Sequence, residues 1–166
     1  MDAWVITVHF LHVAGGAAWL GGSIFANLFL VPYTLRQPTG RQRHLIRTLL
    51  VGPERLMIGA ALLVVVTGLV RGTLLGPISG PEALGRPYGL VWIVSIVVIV
   101  LVFATGGRLT GPSMRRLTQE DDLWDDPSAA AVNQRQALSR RLLIGFRVEL
   151  AGILGVLGLM VILRYL

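Results

Sequence analysis

Four apolar runs, each long enough to cross a lipid bilayer, constrain this chain more than any other feature of its sequence. A hydrocarbon core about 30 Å thick needs roughly 20 residues of helix at 1.5 Å each. Four segments meet that length: Trp4 to Val31, Leu56 to Leu75, Tyr88 to Thr105 and Leu142 to Leu163. Each ends at Pro, Gly or Arg. Backbone in lipid must satisfy its own hydrogen bonds, so helices are the reading, and the alternating pattern of barrel strands is not seen. The expected fold is all-α, a single transmembrane domain over residues 1–166 in which four helices bundle. With 54% hydrophobic and 14% charged residues and a mean hydropathy of +0.69, an ordinary soluble fold is excluded.

Charge sets the expected orientation. All fifteen basic residues are arginine. Arg36, Arg41, Arg43, Arg47 and Arg55 fall in or beside the first connection, 32–55, and Arg108, Arg115, Arg116, Arg135, Arg140 and Arg141 in the third, 106–141. The second holds only Arg86, with Arg71 near the preceding helix end. Positive residues stay on the cytoplasmic side of a cell membrane, so connections one and three are expected inside and both chain ends outside. Met1 and Asp2 lead straight into an apolar run of more than 25 residues, which reads as the first span and not as a cleaved signal. Net charge of +6 points to anionic lipid headgroups and not to nucleic acid, because the arginines flank apolar spans and form no basic face of their own. The acidic cluster Glu120, Asp121, Asp122, Asp125 and Asp126 reads as part of a solvated, partly helical surface loop. Lacking lysine and cysteine, the chain has no amine nucleophile, disulfide framework or thiolate metal site.

The first span carries the clearest chemical pattern. Alternating steps of three and four from His9 give His12, Gly16, Trp19, Ser23 and Asn27, one polar or small face of a helix. Polar groups inside a membrane point to partners or cavities, so this face is expected to look inward. Two imidazoles one turn apart can bind a metal, and one imidazole beside a glycine gap (Gly15, Gly16, Gly21, Gly22) can ligate haem iron. Equally, the glycines can serve close helix packing while the histidines hydrogen-bond across helices. In the fourth span Arg147 and Glu149 are charged at a depth of roughly 8 to 10 Å, where a structural ion pair, for instance of Glu149 with Arg55, competes with an arginine clamp for porphyrin propionates. Met160 lies at a depth comparable with His9 and His12 and is a further candidate ligand, whereas Met57 lies too near the other end. Packing is the ordinary role of a lone methionine.

The fragment LHVAGGAAWLGG (Leu11 to Gly22), with PERLMIGAALLVVVTGLVRG (Pro53 to Gly72) and FRVELAGILGVLGLMVILR (Phe146 to Arg164), resembles the related HemJ-type protoporphyrinogen oxidases and CopD-type copper-resistance membrane proteins. The resemblance covers most of the chain and carries a histidine onto His12 and an arginine and glutamate onto Arg147 and Glu149. It implies a four-helix membrane fold, haem b, frequent homodimers and, on the CopD-like side, copper. The third helix departs from the oxidase pattern: a lysine and a histidine of that family fall at about Trp92 and Phe103 here. The leading expectation is a haem-b-binding, redox-linked membrane protein, with His12 as axial ligand, Arg55 or Arg147 at the propionates and a redox partner the sequence does not name. One rival is copper handling through His9, His12 and Met160. Another is a non-catalytic membrane subunit packing through Gly152, Gly155 and Gly158.

Overall fold

The computed structural model describes residues 2–166, and among them every regular element is helical. Helix α1 spans Ala3–Leu35, α2 Thr39–Gly72, α3 Pro87–Gln119 and α5 Ala129–Leu163, each long and apolar enough to cross a membrane. The short α4, Asp122–Asp125, lies between α3 and α5. A single 3-10 turn, Pro81–Gly85, precedes α3. This is the all-α, four-helix membrane protein the hydropathy pattern calls for. Large apolar side chains such as Phe10, Leu62, Val100 and Val161 are exposed on the outward faces, which suits a helix whose solvent is lipid.

The helices outrun the apolar segments. The first passes Pro32, the second begins at Thr39 instead of near Leu56, the third runs on to Gln119 and the last begins at Ala129 instead of Leu142. Connections 32–55 and 106–141 are therefore mostly helix. The apolar run marks only the part of a helix that suits hydrocarbon, whereas backbone hydrogen bonding continues into the polar sequence beyond it.

Three prolines that look like terminators are instead absorbed. The turns Ala26–Leu30, Ile46–Leu50 and Gly106–Thr110 are π-helical, and each is followed within three residues by proline: Pro32, Pro53 and Pro112. A proline inside a helix lacks the N–H for its turn and its ring presses on the carbonyl four residues back. Widening the preceding turn relieves that pressure, and the Val31 and Gly111 N–H groups accordingly donate to the carbonyls of Ala26 and Gly106, five residues back.

The chain forms two compact units, and each draws on all four long helices. Unit 1 comprises residues 1–22, 56–101 and 152–166, and unit 2 comprises residues 23–55 and 102–151. Unit 1 packs through small residues: a Cβ on Gly15 would press on Val64 and Leu63, Met57 lies over Gly22, and Trp92 lies over Gly72. Unit 2 has a larger apolar core of Val31, Ile46, Leu50, Met114, Leu117, Leu123, Trp124, Leu138 and Leu142. Around it, polar groups tie the short connections down. Asp121 receives both Arg43 and Arg47, Arg43 also reaches Asp125 at 3.1 Å, and Arg47 Nε donates to the Thr118 carbonyl at 2.8 Å. The Trp124 indole donates to the Leu117 carbonyl at 3.0 Å while Arg135 stacks 5.8 Å from its ring. The acidic cluster is the exposed, partly helical segment expected, and two of its members, Asp121 and Asp125, also pair with arginines of 32–55.

Candidate functional site

The inward face of α1 in unit 1 carries Val8, His12, Gly15 and Trp19. At about 100° per residue, His9 stands about 60° to one side of His12 and Val8 about 40° to the other. The structure buries the Val8 side. His9 is exposed, so the expected inward pair of imidazoles reduces to His12 alone. Trp19 is buried, Gly16 half-buried, and the face continues into unit 2 as the buried Ser23 and Asn27.

His12 is only 6% exposed, and its surroundings are built by α2. Its Nδ1 lies 3.1 Å from the Val64 carbonyl oxygen and 3.0 Å from the Thr67 hydroxyl. A carbonyl only accepts, so Nδ1 carries the hydrogen. The Thr67 hydroxyl donates to the Leu63 carbonyl at 2.6 Å and is left to accept from the same Nδ1–H. In the neutral ring this puts the free lone pair on Nε2. Gly68 lies beside the ring, where a Cβ would come within 3.1 Å of Cε1. Arg71 follows one turn further along α2. A histidine whose Nδ1–H is fixed by a backbone carbonyl, with Nε2 directed elsewhere, is the arrangement by which proteins orient a metal-ligating imidazole.

The other candidates fall elsewhere. Met160 is a half-buried residue of α5 in unit 1. Arg55, Arg147 and Glu149 all belong to unit 2. Arg55 stands twelve residues before Thr67 in the sequence of α2. Arg71, which sequence reasoning passed over as a helix-end charge, stands four residues beyond Thr67 on α2. Arg147 and Glu149 are two residues apart, which turns them about 200° from one another on a helix. Arg147 is exposed and Glu149 half-buried, so the two do not form one clamp. Glu149 takes a hydrogen bond from the Thr110 hydroxyl, and the expected pairing with Arg55 is not made. Trp92 lies against Gly72 in unit 1, and Phe103 is an exposed residue of unit 2.

Sequence reading missed Val64, Thr67, Gly68 and Thr110. Of these only the hydroxyls left a signal, as isolated polar residues in or beside apolar runs. Among the described residues no group of three or more His, Asp or Glu side chains converges on a point that would hold a metal ion. No family model, no curated protein and no solved structure matches this chain.

Proposed function

We propose that this is a haem-b-binding, redox-linked protein of the cell membrane, of the HemJ-like and CopD-like kind, in which His12 is the axial ligand. The observation that supports the reading is the fixed Nδ1–H of His12, held between the Val64 carbonyl and the Thr67 hydroxyl so that Nε2 is the basic nitrogen. What fits haem is one neutral imidazole whose Nε2 lone pair is not used by Val64 or Thr67, whereas Gly15 and Gly68 are already closed by Val64, Leu63 and the His12 ring. Bound haem would supply one-electron chemistry. For their part, Val64 and Thr67 fix the ring's tautomer and orientation, Trp19 fills the face two turns below, and Arg71, one turn beyond Thr67 on α2, would take the role first expected of Arg55 or Arg147. The arginine excess in 32–55 and 106–141 supports placing those segments on the cytoplasmic side.

Copper handling is the second reading, and it needs a ligand beside His12. The exposed position of His9 gives it no support, and it rests on Met160 alone. Purification from cells supplied with haem tests the leading reading: a reduced-minus-oxidised difference spectrum should show Soret and α bands that His12→Ala removes. Colourless protein at near-stoichiometric haem supply would end it.

A further inference from the structure

Unit 2 contains an acid that nothing in the haem reading uses. Glu149 lies seven residues beyond Leu142, about 10 Å into the apolar run of α5, and is half-buried. A carboxylate at such a position ordinarily has a cation beside it, because leaving it uncompensated away from water is costly. Here the ion pairs among the described residues join Arg43 to Asp121 and Asp125, Arg47 to Asp121 and Arg116 to Glu120. None engages Glu149. On its own helix the nearest guanidinium, Arg147, is exposed about 200° round the axis. On α3, which packs against it, the charge nearest in sequence is Arg108, also exposed.

What Glu149 does have is a prepared neutral setting. The Thr110 hydroxyl donates to Oε1. One glycine makes room for that pair: a Cβ at Gly145 would collide with the Thr110 hydroxyl. Thr110 itself ends the π-helical turn Gly106–Thr110, a widened turn of a kind often found at functional sites. A second oxygen in the same unit also lacks a donor. Asn27 is 7% exposed, gives its Nδ2 hydrogen to the Ser23 carbonyl at 3.0 Å, and keeps Oδ1 buried with no partner.

We infer that Glu149 and Thr110 form an intramembrane binding site for a monovalent cation, either a proton or an alkali ion such as sodium. Either would neutralise the single carboxylate beside the Thr110 hydroxyl. The site lies wholly in unit 2 and stands or falls independently of haem at His12.

Dicyclohexylcarbodiimide tests it on the full-length protein in detergent. The probe partitions into apolar surroundings and reacts there with a carboxyl that carries a proton, whose O–H adds across one C=N bond to give the acylisourea. Mass spectrometry should find the adduct at Glu149, ahead of the exposed Glu54 and Glu82, and Glu149→Gln should lose it. A proton site shows labelling that rises as pH falls and is indifferent to sodium. A sodium site shows labelling slowed by sodium chloride but not by choline chloride at equal ionic strength. Thr110→Val keeps the carboxyl and should shift whichever profile is found. Labelling of Glu149 no faster than that of Glu54 and Glu82, or an unchanged profile in Thr110→Val, would overturn the site.

Discussion

The two units bury polar groups by opposite strategies. In unit 1 the buried His12 donates to two acceptors on another helix, and both lie within one short stretch of α2, Val64 to Thr67. Unit 2 distributes its polar groups: two arginines share Asp121 at the rim, an indole and a guanidinium tie the short α4 to its neighbours, and a carboxyl meets a hydroxyl inside. The first arrangement fixes the direction of one ring. The second knits together segments that have little apolar surface of their own. Buried hydrogen bonds can thus serve orientation in one place and cohesion in another, and the two roles fail differently when a partner is removed.

The largest effects should separate the units cleanly. His12→Ala is expected to abolish the visible spectrum altogether while leaving unit 2 folded, as read by the fluorescence of a variant that retains Trp124 as its single tryptophan. Leu117→Ala should do the converse. Leu117 is fully buried in the unit 2 core, and emptying such a site costs about 2–5 kcal/mol. Unfolding followed by Trp124 should shift by that amount with the haem bands retained at the start of the titration. Loss of both signals together in either variant would show that the units do not fail separately. A smaller effect is expected of Thr67→Val, which removes one of two acceptors on the His12 Nδ1–H. The bands should persist with a displaced midpoint potential, and an unchanged potential would remove Thr67 from the orienting role.

The same contrast explains what was legible in the sequence. Lipid length and hydropathy are properties of a run of residues, so the four spans could be read directly, and the inward face of α1 followed from its 3.6-residue period. That period could not decide between Val8 and His9. The two flank the inward direction at similar angles, and what α2 packs against settles the matter. The ends of the helices were misjudged because hydropathy marks only the part of a helix that suits hydrocarbon, and because a π-turn before Pro32, Pro53 and Pro112 lets the helix run on through proline. Partners on other helices, Thr67 for His12 and Thr110 for Glu149, are long-range facts: 55 and 39 residues separate them. Nothing in local pattern encodes such pairs. The pairing of Arg43 and Arg47 with Asp121 was hidden for the same reason, although the opposite charges of the two connections were in plain view.

Asp121 offers a weaker test, because its site is exposed and screened by solvent. Hydrogen bonds from Arg47, and then Arg43, hold its carboxyl below the usual carboxylate range. For a group with a depressed folded value, the stabilisation is complete above the unfolded value, about 3.9, and is lost as pH falls through the lower folded one. Acid should therefore loosen the tie between Thr39–Leu45 and α4 in the range below about pH 4. Asp121→Asn should remove that part of the pH dependence and weaken the salt dependence of melting, with the Arg43–Asp125 pair left in place. A variant that melts with unchanged pH and salt dependence would reduce the arginine–aspartate contacts to surface decoration.

The smallest effect sits at the start of α5, where unit 2 must launch a 35-residue helix from the turn after α4. Ser128 stands just before that helix, and its hydroxyl accepts the Ala131 N–H at 3.2 Å while donating to Asp126 at 2.8 Å. The Ser128 N–H is also held by Asp126, at 2.7 Å, so one carboxylate steadies the residue that caps the helix. Removing a serine cap costs about 1 kcal/mol. Ser128→Ala should lower the stability read by Trp124 by about that much, since Leu138 and Leu142 bring this same helix into the core around Trp124. The haem bands, which report on unit 1, should not move. A Ser128→Ala variant that altered them would mean that the start of α5 governs the setting of His12, and the division of labour between orientation and cohesion would have to be abandoned.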